Sequence, residues 1–158
     1  MTYGICNLSA IALRKEDRHA SEMVSQLLYN ETYSILDKTK EWVLIQTRHS
    51  SPAMTNSEDP STEPEAYFYQ GWIQAKQCHE ISEEEHNTLK RKRPFLINKA
   101  LVETGGKFLT LGTPLYEPHP DATAIPPEFH PEVMIENAKK LLGAPYLWGG
   151  RTAFGIDC

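Results

Sequence analysis

The sequence predicts a mainly β protein with short helices. Short apolar runs rich in β-branched and aromatic residues recur through the first half. A Gly105-Gly106 pair sits between two further runs of this kind. Helical signals are confined to a stretch after Ser82 and to residues 132–142. Taken in order, Ala10–Leu13 is a short apolar run, and Val24–Tyr33 mixes apolar and polar residues around Leu27, Leu28 and Tyr29. Ile35 and Leu36 follow, then Trp42–Ile45, which Gln46 and Thr47 close. Residues 48–65 are polar, with no periodic pattern, and are long for a hairpin connection. Tyr67–Ile73 returns to strand character, with Gly71 expected as a bend or bulge. Short strands broken by polar turns suggest a small barrel.

Ser82 and Glu85 have the spacing of a capping box. Glu83, Glu84 and Glu85 open that helix and Lys90, Arg91, Lys92 and Arg93 close it, which suits the helix dipole. The basic run is read as a solvated helix end, and Pro94 stops it. Phe95–Ile97, Ala100–Val102 and Phe108–Leu111 read as strands, with the later strands of a barrel expected to be absent from the Pro-rich stretch after Tyr116. Over 132–142, Met134, Ala138, Leu141 and Leu142 line one helical face; Pro131 suits the first turn and Gly143 the end.

The chain has 158 residues, 40% of them apolar and 23% charged, enough for a buried core. A net charge of -5 argues against a nucleic-acid binder, and no run reaches the ~18 apolar residues of a membrane span. Arg14, Lys15, Glu16 and Asp17 lie where a signal peptide needs apolar residues. The expected location is therefore cytoplasmic, or periplasmic or exported if Met1 is not the native start. Cys6, Cys78 and Cys158 form no C-x-x-C. Cys6 and Cys78 are expected to be small, buried and inert.

Three pieces in order, Ser25–Glu31, Glu41-Trp42-Val43 and Tyr69–Ile73, resemble a bacterial SH3 domain. The stretch from Phe95 resembles the start of a second, shorter one. The last stretch reads Leu142-Gly143-Ala144-Pro145-Tyr146-Leu147-Trp148-Gly149-Gly150-Arg151-Thr152-Ala153-Phe154-Gly155-Ile156-Asp157-Cys158. It resembles the opening of the NlpC/p60 family of cell-wall cysteine peptidases, in which a helix leads into Tyr-x-Trp-Gly-Gly and then Gly-x-Asp-Cys. The resemblance implies small SH3-type barrels followed by the first helix of an α+β papain-like domain. Its parts would be an SH3-like domain over 1–77, a connecting helix with a short second SH3-like domain and Pro-rich linker over 78–131, and the start of the peptidase domain over 132–158.

In that family the Cys is the nucleophile, here Cys158. A thiol has a pKa near ~8.5, and a helix N-terminus favours thiolate and can help hold an oxyanion. Asp157 would raise the thiol pKa by repulsion, so it serves something other than activation. The resemblance implies that Asp157 binds the free α-amine of a murein peptide, with Tyr146 alongside and Glu31 and Tyr69 (or Tyr67) contributed by the first SH3-type domain. Trp148 is expected to pack the loop. The implied activity is that of a γ-D-glutamyl-L-diamino acid endopeptidase acting on L-Ala-γ-D-Glu-diaminopimelate peptides through a thioester on Cys158, with no metal or organic cofactor. A cysteine peptidase also needs a general base. His19, His49, His79, His86, His119 and His130 all precede Cys158, whereas the family's base follows it. The chain alone is therefore expected to be inactive, as the N-terminal part of a longer enzyme. The other class left open is a non-catalytic SH3-type module that binds a wall peptide or a partner protein.

Overall fold

The computed structural model describes residues 2–49, 67–125 and 130–157. Alternation along the early strands sets up one core. These strands are β1 (Thr2–Ile5), β2 (Ala10–Arg14), β3 (Met23–Leu28), β4 (Thr32–Lys38), β5 (Trp42–His49), β6 (Tyr67–Gln74) and β7 (Glu80–Ile81). Ile11 and Leu13 of β2, Leu27 of β3, Tyr33 and Ile35 of β4, Val43 and Ile45 of β5 and Ile73 of β6 are buried together with Cys6. Every second residue of a strand faces the same way, so each strand gives this core one row.

Among the described residues these strands form one sheet in the order β3-β2-β6-β5-β4-β1-β7. β3 is at an edge and β4 lies four strands further along, yet only Tyr29, Asn30 and Glu31 join them. So short a link requires the sheet to curl until the two come together. The link is a tight turn: Glu31 N–H donates to Leu28 O at 3.0 Å, and Asn30 sits at φ 66°. The run read from sequence as Val24–Tyr33 is thus two strands and a corner. Gly71 makes no bulge, since β5 and β6 pair in unbroken register through it. A Cβ there would lie 2.7 Å from the Leu13 side chain and from Arg14 O, so the residue allows close approach. The register shifts lie instead at Leu13/Arg14 and Ile35/Asp37.

The cysteines of this core are kept neutral. Burial pushes the Cys6 thiol up to about 12. It also raises Cys78, which accepts from the Tyr33 hydroxyl at 3.6 Å.

α1 (Glu83–Arg91) begins with the expected capping box: Glu85 N–H donates to Ser82 Oγ at 3.1 Å and Ser82 N–H to Glu85 Oε2 at 2.9 Å. His86 stacks on Tyr3 at 3.9 Å, fixing the helix to β1. Beyond it come β8 (Phe95–Ile97), β9 (Leu101–Thr104), β10 (Lys107–Thr110), β11 (Pro114–Leu115) and β12 (Ala122–Ala124). β9 and β10 form a hairpin whose two-residue loop, Gly105-Gly106, takes positive φ at both positions. β11 and β12 flank β8, and β12 lies in the Pro-rich stretch after Tyr116 where no strand was expected. The core here is Ile97, Val102 and Leu109, and Tyr29 of the corner packs against it.

α2 (Pro131–Lys139) is shorter than the expected 132–142, and residues 140–143 are turns. No α2 residue is buried; Met134 is 55% exposed and Leu142, just beyond, 81%. A short helix without a packed face has little to extend it. Among the described residues no helix is long and apolar enough to cross a membrane.

Candidate functional site

The last described residues fold into a small hairpin, β13 (Arg151–Thr152) against β14 (Gly155–Ile156). The segment before it closes back on it: Leu147 N–H donates to Ile156 O at 2.9 Å and Ile156 N–H to Pro145 O at 3.0 Å. Leu147 lies under Gly155, where a Cβ would meet its side chain at 2.5 Å. Asp157 is fixed twice. Its N–H donates to Gly150 O at 3.0 Å, and its Oδ2 accepts from Gly149 N–H at 2.7 Å. The carboxylate therefore has a set place directly before Cys158, which lies outside the described residues.

The hairpin sits between two bodies. On one side it meets β3 and the residue before it. Gly149 takes φ 71°, and a Cβ there would lie 2.6 Å from Met23 O, so the backbones touch. Trp148 Nε1 donates to Glu22 Oε1 at 3.0 Å, and Arg151 N–H to Gln26 Oε1 at 2.7 Å. The Arg151 guanidinium also donates to Gln26 O. It forks onto Glu31, with Nη2 to Oε1 at 2.8 Å and Nη1 to Oε2 at 2.9 Å. On the other side Ala153 N–H donates to Thr110 Oγ1 at 2.9 Å, and Phe154 meets Phe108 edge-on at 6.2 Å. Trp148 is thus an exposed side chain reaching to the first sheet, where sequence reading expected loop packing.

This docking joins Glu31 to Arg151, and Tyr146, 63% exposed, bridges to Ile156 beside Asp157. Glu31 Oε2 also accepts from Leu28 N–H at 2.8 Å, which closes the corner. Tyr69 of β6 pairs with Thr47 of β5, which on its other side pairs with Tyr33 of β4. Tyr33 follows Glu31 by two residues, so Tyr69 and Glu31 belong to the same end of the sheet. The Tyr67 side chain is outside the described residues. Tyr116 is half-buried near Glu31; burial first, then that carboxylate, raises its pKa. It lines a cleft of about 500 Å³ behind the corner, together with Tyr29, Lys92, Lys107 and His119.

Four histidine side chains have partners away from the hairpin. His19 pairs with Gln74 at 3.0 Å, His86 stacks on Tyr3, His119 accepts from Asp121 N–H at 3.1 Å, and His130 lies 3.5 Å from Glu132. The His79 backbone binds the Tyr33 hydroxyl and Ile5 N–H. The His49 side chain is outside the described residues. Sequence reading missed Glu22, Gln26, Thr110 and, above all, Arg151. A charged residue directly after paired glycines was the one local sign.

No protein-family model and no curated protein sequence matches the chain. Among solved structures it is similar to the crystal structure of an NlpC/p60 family protein from Bacillus cereus ATCC 10987, with a TM-score of 0.69 and 18% identity, over 99% of this chain and 68% of that one. At that identity the likeness speaks for the fold: a mainly β chain, with two short α-helices among the described residues, built like part of an NlpC/p60 family protein.

Proposed function

We propose that this chain belongs to a cysteine peptidase of the NlpC/p60 type that cleaves the γ-D-glutamyl-diamino acid bond of murein peptides. On this reading the curled first sheet is a bacterial SH3-type domain, β8–β12 are a second, reduced one, and α2 is the first helix of a papain-like domain. Cys158 attacks the γ-carbonyl carbon of D-Glu. A C–S bond forms, the C–N bond breaks, the diamino acid leaves with a proton, and water hydrolyses the thioester. Asp157, Tyr146, Glu31 and Tyr69 receive the ammonium of an N-terminal L-Ala. The observation that carries the reading is the fixed carboxylate of Asp157 beside Cys158, in a hairpin held against the corner that bears Glu31.

An amine-reading site makes the enzyme one that acts on wall peptides already freed from the glycan rather than on intact wall. The chemistry also needs a base, and the side-chain contacts of His19, His86, His119 and His130 lie away from the hairpin. The activity is therefore a property of a protein that carries this chain together with such a base.

The test uses protein isolated from its source cells and L-Ala-γ-D-Glu-meso-diaminopimelate, with products read by mass spectrometry. Release of L-Ala-D-Glu, abolished by Cys158→Ala and slowed about 100-fold or more by N-acetylation of the substrate, is the expected result. Equal turnover of free and acetylated peptide would refute the amine pocket. No turnover of either would refute the peptidase.

A further inference from the structure

We infer that Arg151 is a positioning residue: its fork to Glu31 clamps the hairpin that carries Asp157 onto the corner of the first sheet. The pair spans 120 residues of sequence and is bidentate, both contacts within 2.9 Å. Arg–carboxylate forks of this kind fix geometry as well as adding energy, because both groups are planar and rigid. The pair is also sheltered. The side chains are 29% and 15% exposed, against 42% or more for both partners of the Lys15–Glu22, Arg18–Glu16 and Lys38–Glu80 pairs. Exposed pairs contribute little to holding a structure together, whereas a sheltered one is costly to break.

The contacts around the fork give it leverage. Arg151 is bound at three points: its amide to the Gln26 side chain, its guanidinium to the Gln26 carbonyl, and its fork to Glu31. Glu31 in turn closes the Leu28–Glu31 corner through Leu28 N–H. Within the hairpin, Arg151 pairs with Ile156, the neighbour of Asp157, and Gly150 O holds Asp157 N–H. A change at Arg151 thus reaches Asp157 through one strand pair and one hydrogen bond. The Trp148–Glu22 and Phe154–Phe108 contacts lie at the exposed rim and can slide. Together with the Arg151–Gln26 and Ala153–Thr110 hydrogen bonds, the fork sets the register. The consequence for ligand binding rests on the amine-pocket reading above; the clamp itself does not.

The experiment is amide hydrogen exchange by NMR on the 158-residue chain and its Arg151→Met, Arg151→Lys, Glu31→Gln and Arg151→Met/Glu31→Gln variants. Arg151→Met is expected to speed exchange of the Leu147, Gly150, Ile156 and Asp157 amides about tenfold or more, leaving β5 amides unchanged as a control for folding. Arg151→Lys, which keeps the charge without the fork, is expected to restore part of the protection. The double variant is expected to be no worse than either single one. Resolved guanidinium signals of Arg151 are expected in the wild type and lost in Glu31→Gln. Unchanged hairpin exchange in Arg151→Met, or effects that add in the double variant, would overturn the clamp.

The dipeptide L-Ala-D-Glu is then titrated into the same samples. Binding by the wild type that weakens about tenfold or more in Arg151→Met supports the link from clamp to pocket, and equal binding refutes that link. A loosened hairpin in protein that never binds the dipeptide would leave the clamp standing and count against the amine pocket.

Discussion

Residue by residue, the buried groups of the first core make a prediction about alkaline pH. Cys6 is fully buried, and its thiol is pushed from an ordinary value near 9 up to about 12. The folded chain therefore holds this proton at a pH where the unfolded chain has released it. Above about pH 9 the unfolded state binds fewer protons, so stability falls as pH rises, until the folded thiol also ionises. Tyr33, raised chiefly by burial, adds to the fall at higher pH. Urea midpoints measured from pH 8 to 10.5 should drop more steeply in the wild type than in Cys6→Ala. Parallel curves would mean that Cys6 does not carry the effect.

Among the elements, the two helices differ in what holds them. α1 is fixed by its capping box and by the Tyr3–His86 stack, whereas the apolar side chains of α2 stand in solvent. Ser82→Ala should cost about 1 kcal/mol in urea unfolding, because the Ser82 Oγ contacts with Glu85 N–H and Glu85 Oε2 are lost. Met134→Gln and Leu142→Gln should stay within about 0.5 kcal/mol of the wild type. A large loss for either would mean that the α2 face is covered in solution. The α1 cap was legible in the sequence because Ser82 and Glu85 are three positions apart and interact locally. The Gly105-Gly106 turn was legible for the same reason. The length of α2 was not, because helix ends depend on packing as well as on spacing, and its apolar stripe has no partner among the described residues. Strands β11 and β12 were missed because two or three residues among prolines carry no period.

For the whole molecule, the corner at Tyr29–Glu31 joins the parts. Tyr29 enters the second core, Asn30 Nδ2 donates to Pro114 O at 3.1 Å, and Glu31 takes Arg151. Asn30 also holds a left-handed conformation that few side chains accept. Asn30→Gly keeps that conformation and loses one hydrogen bond, a cost of about 1 kcal/mol. Asn30→Ala loses both and should cost about 2 kcal/mol or more. Calorimetry of the two variants should show Asn30→Ala melting lower. Equal melting would mean that strain at this residue is relieved. The strand character of Ala10–Leu13, Trp42–Ile45 and Tyr67–Ile73 was legible from residue types alone. The Glu31–Arg151 contact was not, since no local pattern reports a partner 120 positions away.

That separation has a consequence for synthesis. The chain is made from its N-terminus at about 5–20 residues per second, so Arg151 follows Glu31 by roughly 6–24 s. The strands of the first sheet are complete by Ile81, and the corner can close on its own hydrogen bonds while the hairpin is still unmade. The nascent chain thus carries one half of the site folded and waiting. Arg151 arrives later and joins a corner already built, so the second half of the contact docks onto a finished first half.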